Sequence, residues 1–234
     1  MRSERPRVVI FTGPSLHPRE ARKLLDATFA PPIKRGDLTL LSASTPPHVV
    51  GIIDGEFFQS LAVTPKEVLA LLENGVAVYG AASMGALRAV ELSRYGMIGV
   101  GSVFRLFRRG VLDADDEVAL TYCKETYRAM SEPLVNIRYA LRAAVQRGIL
   151  IRADAEGILS TMKKAYFPER TTKLVLSTAR EVAGGERARK LEVFLRAEAP
   201  NVKERDAKLL LSRIRRDFIP SRVTRDRGRG AGGR

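Results

Sequence analysis

The sequence predicts an α/β protein in which a Rossmann-like parallel sheet, flanked by helices, is followed by a helical C-terminal subdomain. Short apolar runs alternate with helical patterns in the first half, and these runs lack regular polar alternation, as is typical of strands buried on both faces. After residue 130 only helical spacing recurs. We therefore predict an α/β core at 1–129, a helical subdomain packed on it at 130–219, and a disordered Arg/Gly-rich tail at 220–234.

Four apolar runs are interpreted as the strands of this sheet, at residues 7–11, 38–41, 49–53 and 76–79. In a parallel sheet, ligands bind at the carboxyl ends of the strands, where loops lead into helices. We therefore expect the loops that follow the first, third and fourth runs to converge on one site. These loops comprise residues 12–15, 54–56 and 80–83.

The helices are predicted from start signals and apolar periodicity. The strongest start is at Thr64, which is followed by Pro65 and then by Glu67, the arrangement of a capping box. This helix is expected to end before Asn74-Gly75. Further helices are predicted at residues 18–25, 82–92, 134–146, 153–164, 173–183, 186–197 and 202–218.

The charge of the chain is unevenly distributed. The net charge is +14, and residues 1–129 hold 16 Lys/Arg against 14 Asp/Glu, whereas residues 130–234 hold 24 against 12. A basic half attracts acidic partners of any class. No aromatic interleaving or nucleic-acid-binding signature accompanies it, so we expect no sequence-specific binding of nucleic acid.

Several classes of protein are excluded by composition. No apolar run reaches the roughly 18 residues that a membrane span needs, and the charged first residues do not resemble a secretory signal. The single cysteine, Cys123, excludes a disulfide framework and a multi-cysteine metal site. We expect a cytoplasmic protein that needs no metal or cofactor, and the oligomeric state stays open, a homo-oligomer included.

The best local signal for chemistry surrounds Ser83. An apolar strand runs into a turn of small residues, then the serine, then a helix, which resembles the Gly-x-Ser-x-Gly nucleophile elbow with Ala81 in place of the first glycine. The amides of Met84 and Gly85 would then lie at a helix N-terminus, where they could stabilise an oxyanion. The alternative is that Ser83 only caps the helix.

A nucleophilic serine needs a base, and the sequence does not single one out. His17 follows the first strand, whereas His48 precedes the third strand and lies at the wrong end of the sheet. Lys66 could serve if it were desolvated, and Asp54 or Glu67 could orient a base or activate water. These three residues and the nucleophile form the predicted catalytic set: Ser83, Lys66, Glu67 and Asp54. A Ser-His-Asp triad is not supported.

Other polar clusters admit two interpretations. Asp54-Gly55 could position a base or bind a metal, or simply form a turn. The acids at 113–117 could bind Mg²⁺, but acids before a helix also suit its dipole, which we favour. Asn136 and Arg138 share a helical turn and could contact either a substrate oxyanion or a neighbouring loop.

Together these stretches resemble the TfuA family over roughly residues 7–145. The resemblance rests on FTGPS at 11–15, GIIDGEF at 51–57, KE at 66–67, GAASMGALRA at 80–89, YGMIGVG at 95–101, DDEVA at 115–119 and SEPLVNIR at 131–138. The block around Ser83 is the most specific of these. Family members often carry histidine before the Lys-Glu pair, where this chain has Pro65.

The resemblance implies a partner of a YcaO enzyme in peptide-backbone thioamidation. YcaO proteins phosphorylate a peptide amide oxygen with ATP, and sulfur then replaces that oxygen. The TfuA partner is implicated in hydrolysing a thiocarboxylated ThiS-like sulfur carrier to release sulfide. Ser83 would attack or position water, and the residues assigned to oxyanion or substrate binding are Thr12, Gly13, Gly55, Met84, Gly85, Arg88, Asn136 and Arg138.

Two alternatives remain beside this hypothesis. In the first, the chain is a non-catalytic adaptor that recruits the carrier and activates YcaO through its basic helical half. In the second, the glycine-rich loops bind a nucleotide or phosphate, although the P-loop spacing is lacking.

Overall fold

The computed structural model describes residues 5–43, 45–57 and 61–219. Within these ranges five strands form one parallel sheet in the order β2-β1-β3-β4-β5. The strands are β1 (Val8–Phe11), β2 (Thr28–Ala30), β3 (Val49–Ile52), β4 (Ala77–Gly80) and β5 (Ile98–Gly99). The predicted α/β class and the helical C-terminal region are confirmed.

Helices flank the sheet and make up the second half of the described chain. They are α1 (Pro18–Leu24), α2 (Asp37–Ala43), α3 (Pro65–Glu73), α4 (Met84–Leu92), α5 (Gly101–Arg108), α6 (Leu134–Gln146), α7 (Arg152–Lys164), α8 (Thr172–Ala183), α9 (Gly185–Ala197) and α10 (Val202–Phe218). The capping box of α3 is present: Thr64 accepts a hydrogen bond from the Glu67 N–H, and the Glu67 carboxylate accepts one from the Thr64 N–H. No helix in the described ranges combines the length and apolar character that crossing a bilayer requires.

The second predicted strand is wrong. The apolar run at 38–41 lies in α2, and the strand that pairs with β1 is the three-residue β2. Leucine favours helices, and Asp37 in the first turn complements the helix dipole. Strand β2 is too short, and too exposed at Thr28, to show a burial pattern in sequence.

The strand order creates a switch point between β1 and β3. The chain leaves β1 towards β2 on one side and returns to β3 on the other, so the loops after β1 and β3 diverge at the carboxyl edge. In doubly wound sheets such a crevice is where ligands bind.

Both faces of the sheet are covered. On one face Val9, Ile52 and Val78 belong to a core that includes residues of α2 to α5. On the other face Ile10 and Tyr79 pack against α1 and the last helix, α10. Helix α10 therefore returns from the helical half to the sheet.

Helices α6 to α9 share a separate apolar cluster. The fully buried Arg170 connects this region to the core, because its guanidinium donates to the Asp116 carbonyl at 2.8 Å and pairs with the Asp116 carboxylate. The division at residue 130 stays a prediction. The predicted tail at 220–234 lies outside the described residues.

Candidate functional site

The turn that precedes Ser83 is strained. Ala82 adopts a φ of 64°, and the Ser83 N–H donates to the Ala81 carbonyl only two residues back, at 2.7 Å. Left-handed conformations of this kind are uncommon outside glycine and concentrate at functional sites. The small residues between β4 and α4 allow this turn, which brings Ser83 to the N-cap of α4, and its side chain forms no capping hydrogen bond. The alternative that Ser83 merely caps the helix therefore lacks its defining contact.

Gly85 allows α4 to start against the sheet. A Cβ at this position would lie 1.8 Å from the Ile52 carbonyl oxygen, so only glycine fits. The Gly85 N–H donates to the Ile53 carbonyl at 3.4 Å and is thus engaged, which differs from the free amide we expected. No hydrogen bond of the Met84 N–H is found among the described residues, so this amide is available as a donor.

Ser83 lies near Lys203, which is 120 residues further along the chain. The Ser83 hydroxyl donates to the Val118 carbonyl at 3.4 Å, and the Lys203 ammonium donates to the same oxygen at 2.7 Å. Both side chains are buried, with 2% and 1% of their surface exposed. The hydroxyl and the amine therefore share one acceptor oxygen, and these are the two groups that a Ser-Lys pair combines.

Burial changes the acid–base behaviour of Lys203. Desolvation lowers its pKa to about 8, against the opposing effect of the negative charge of Asp54, which raises it. A substantial fraction of the amine is therefore neutral near pH 8, the form that accepts a proton. Lys203 is thus a better candidate for a general base than any residue we predicted.

Asp54 organises the loop after β1. Its Oδ2 accepts from the N–H groups of Gly13 and Ser15 at 2.9 Å each, and its Oδ1 accepts from the Ser15 hydroxyl at 2.5 Å. Within the same loop the Thr12 hydroxyl donates to the Leu16 carbonyl at 2.7 Å. Asp54 and Gly13 are brought together as expected, whereas Thr12 holds the loop itself.

A small cavity joins these groups. It is lined by Pro14, Asp54, Gly55, Phe57, Ser83, Val118, Leu120, Tyr122 and Lys203. Its volume of about 10 Å³ is room for one water molecule. Gly55 allows the loop after β3 to pack closely on α4, because a Cβ there would lie 2.8 Å from the Met84 side chain.

Lys66, Glu67 and Arg88 do not line this cavity. Lys66 is exposed at the start of α3, and Glu67 completes the capping box and also accepts from the Gly36 N–H at 2.6 Å. Arg88 donates to the Val63 carbonyl at 2.9 Å and pairs with Glu91. The contacts of Glu67 and Arg88 hold α3 and α4 in place.

The two histidines are also engaged elsewhere. His17 caps α1 by accepting from the Arg19 N–H, and its ring packs edge-on against Tyr127. His48 accepts from the Arg7 N–H at 2.9 Å. Neither lines the cavity around Ser83.

Asn136 and Arg138 contact the site through their neighbours. The Asn136 Oδ1 accepts from the N–H groups of Val202 and Lys203, at 3.1 and 3.3 Å, and so holds the start of α10. Arg138 forms a bidentate pair with the buried Glu117, next to the Val118 carbonyl. Both residues therefore position the site rather than line its cavity.

The acidic segment at 113–117 has arginine partners. Glu117 pairs with Arg138 and Asp116 pairs with Arg170. In the part of the chain that the structure describes, no group of three or more His, Cys, Asp or Glu side chains is arranged to hold a metal ion. Cys123 donates to the Glu125 carboxylate.

Lys203 is the residue that sequence reasoning missed. A signal for it exists in α10, where the buried positions 203, 206, 207, 210 and 214 form one face of the helix. Lysine and aspartate at 203 and 206 are the charged members of that otherwise apolar stripe. A lysine on a buried stripe indicates an amine that is removed from solvent and held by polar groups of the protein.

Comparison with known proteins supports the resemblance seen in sequence. No curated protein matches the chain. The model of a protein family described as TfuA-like protein matches residues 54–171, which include Asp54, Ser83 and Val118 but not Lys203. Because this match spans half of the 234 residues, the chain belongs to the TfuA-like protein family.

Proposed function

We propose that this chain is a YcaO-associated accessory protein in backbone thioamidation, and that it hydrolyses a thiocarboxylated ThiS-like carrier to supply sulfide. Family membership supports the accessory role and the YcaO partner. The cytoplasm, where such carriers and YcaO enzymes meet, is the proposed location. The observation that carries the hydrolytic part is the common hydrogen bonding of Ser83 and Lys203 to the Val118 carbonyl.

The chemistry follows from these groups. The neutral Lys203 amine accepts the proton of the Ser83 hydroxyl as the oxygen attacks the thiocarboxylate carbon. The Met84 N–H donates to the developing oxyanion. The C–S bond then breaks, the sulfur leaves as hydrosulfide with the proton from Lys203, and Ser83 carries an acyl ester.

Water completes the cycle. Lys203, again neutral, accepts a proton from water as the water attacks the ester carbon, and the proton returns to the Ser83 oxygen when the ester bond breaks. One thiocarboxylate and one water thus give one carboxylate, one hydrosulfide and one proton, which is released to solvent. The negative charge of Asp54 partly offsets the cost of a buried ammonium.

The decisive measurement is sulfide release from a thiocarboxylated carrier by the isolated protein. We expect Ser83→Ala to reduce the rate by about 10²-fold or more, because the nucleophile is removed. Ser93→Ala is the matched control, since this exposed serine lies beyond the other end of α4 and its loss should leave the rate unchanged. Full activity of a folded Ser83→Ala protein would exclude this serine as the nucleophile.

The adaptor function remains the second candidate, and the small size of the cavity favours it. About 10 Å³ does not admit a polypeptide end unless the walls move. An adaptor would release no sulfide alone, and thioamidation in the presence of YcaO would survive Ser83→Ala.

A further inference from the structure

A long groove runs across the sheet beside the candidate site. Its floor includes Val9 and Phe11 of β1 and the neighbouring Thr28 and Ala30 of β2, and its volume is about 870 Å³. One wall contains Leu40 of α2, and the opposite wall contains Tyr122 and Tyr127, whose rings stack at 6.2 Å.

The groove ends at the small cavity. It extends from Arg7, before β1, past Phe11 at the end of the strand, a length of roughly 13 Å at the rise of an extended chain. Tyr122 lines both the groove and the cavity, and its hydroxyl donates to Glu56 at 2.9 Å. Tyr122 therefore separates the groove from Ser83.

The lining of the groove combines apolar and basic groups. Leu40 and Leu61 are exposed to 73% and 41% although they are large apolar residues. Among the described residues, Arg7, Lys34 and Lys124 form no salt bridge, and the charge of Lys124 acts on the neighbouring Glu125. Exposed apolar surface beside unpaired cations is typical of a binding surface for an acidic partner.

The acids of the groove are already engaged. Asp37 accepts from the Lys34 N–H, and Glu56 accepts from Tyr122. The lining carries three basic residues, Arg7, Lys34 and Lys124, against these two acids, so its formal net charge is +1.

We propose that this groove binds an extended acidic segment of a partner polypeptide, whose carboxyl end points towards Ser83. This direction rests on the proposed function, because a terminal thiocarboxylate must reach the serine. An extended chain of about four residues matches the length of the groove along β1. A second copy of this chain is disfavoured as the occupant, because the net charge of +14 repels it.

Binding can be measured without turnover in the Ser83→Ala protein. The probe is a fluorescein-labelled peptide of six residues, with two glutamates at its labelled amino end and alanine and glycine up to a free carboxyl end. We expect saturable binding by fluorescence anisotropy, weakened by about tenfold or more when Lys34→Glu and Lys124→Glu are combined, because attraction becomes repulsion.

The matched control combines Arg142→Glu and Arg152→Glu, which make the same change of charge on α6 and α7. This control variant should bind the labelled peptide with the affinity of the Ser83→Ala protein. Absence of binding, or equal losses in both double variants, would overturn the groove assignment. A dimer in light scattering that dissociates in the Lys34/Lys124 variant would also overturn it, since a second copy would then be the occupant.

The two proposals fail independently. If Ser83→Ala protein still releases sulfide while the Lys34/Lys124 variant loses the peptide, the hydrolytic mechanism is wrong and the groove assignment stands. If Ser83→Ala abolishes sulfide release but the peptide does not bind, the groove assignment is wrong and the mechanism stands.

Discussion

Burying the amine of a lysine destabilises the folded protein unless nearby groups accept its hydrogen bonds or offset its charge. Lys203 satisfies this condition in two ways, because it donates to the Val118 carbonyl and lies near the charge of Asp54. Desolvation has the larger effect on its pKa, and Asp54 limits the decrease to about 8. A lysine thereby acquires the acid–base range usually associated with histidine.

This shift predicts the pH dependence of sulfide release. The wild-type rate should rise with pH and reach half of its maximum near pH 8, where half of Lys203 is neutral. Lys203→Met keeps an unbranched side chain similar to the aliphatic part of lysine but has no amine, so we expect a loss of about 10²-fold or more and no such rise. An unchanged pH profile in Lys203→Met would exclude this lysine as the base.

A stability measurement provides the control for that variant. Folding lowers the pKa of Lys203 from 10.5 to about 8, so between these values the unfolded chain binds the proton that the folded chain has lost. The free energy of unfolding should therefore gain a rising contribution with pH from about 8 to 10.5. Urea unfolding of Lys203→Met should lack this contribution.

At the scale of elements, the contact between α6 and α10 aligns the site. Asn136 lies on α6, and its carboxamide caps α10 at Val202 and Lys203 while its Nδ2 donates to Asn201. Two residues on, Arg138 holds the segment that carries Val118. One helix thus positions both the lysine and the carbonyl that it contacts.

Asn136→Ala should therefore act through Lys203. We expect kcat for sulfide release to fall about tenfold, with KM nearly unchanged, because the base is displaced while the groove is intact. Asn136→Asp retains an oxygen acceptor at the helix N-terminus and should restore most of kcat. Asn74→Ala, at the end of α3, is the matched control. A change confined to KM would contradict a positioning role.

At the scale of the whole molecule, α10 completes the sheet. Its Leu210, Leu211 and Ile214 belong to the same core as Ile10 and Tyr79. Its Asp206 accepts from the Val103 N–H at 2.7 Å, near the start of α5, and its Asp217 accepts from the Tyr79 hydroxyl at 2.8 Å. The helix is therefore as much a part of the α/β core as of the helical half.

A fragment of residues 1–171 tests this role. It contains the whole family match but lacks Lys203 and the cover of one sheet face. We expect it to bind the dye ANS strongly, to unfold without cooperativity, and to release no sulfide. A fragment of residues 1–219 retains α10 and should unfold cooperatively. Cooperative unfolding of 1–171 would show that α10 is dispensable for the core.

Local sequence determined most of the helices and the turn at Ser83. The capping box at Thr64 depends on residues three apart, and the turn before Ser83 depends on small adjacent side chains, so neighbours in sequence suffice to predict them. The strand β2 and the engaged amide of Gly85 were not predicted, because pairing with β1 and contact with Ile53 decide them.

The identity of the base was decided only by tertiary structure. Lys203 becomes buried and loses proton affinity because α10 folds back onto the sheet and carries it to Val118 and Asp54. Sequence determined that a lysine lies on the apolar stripe of a helix, since periodicity is a local property. Which groups surround that lysine depends on contacts between distant segments, and their packing sets its solvation and its pKa.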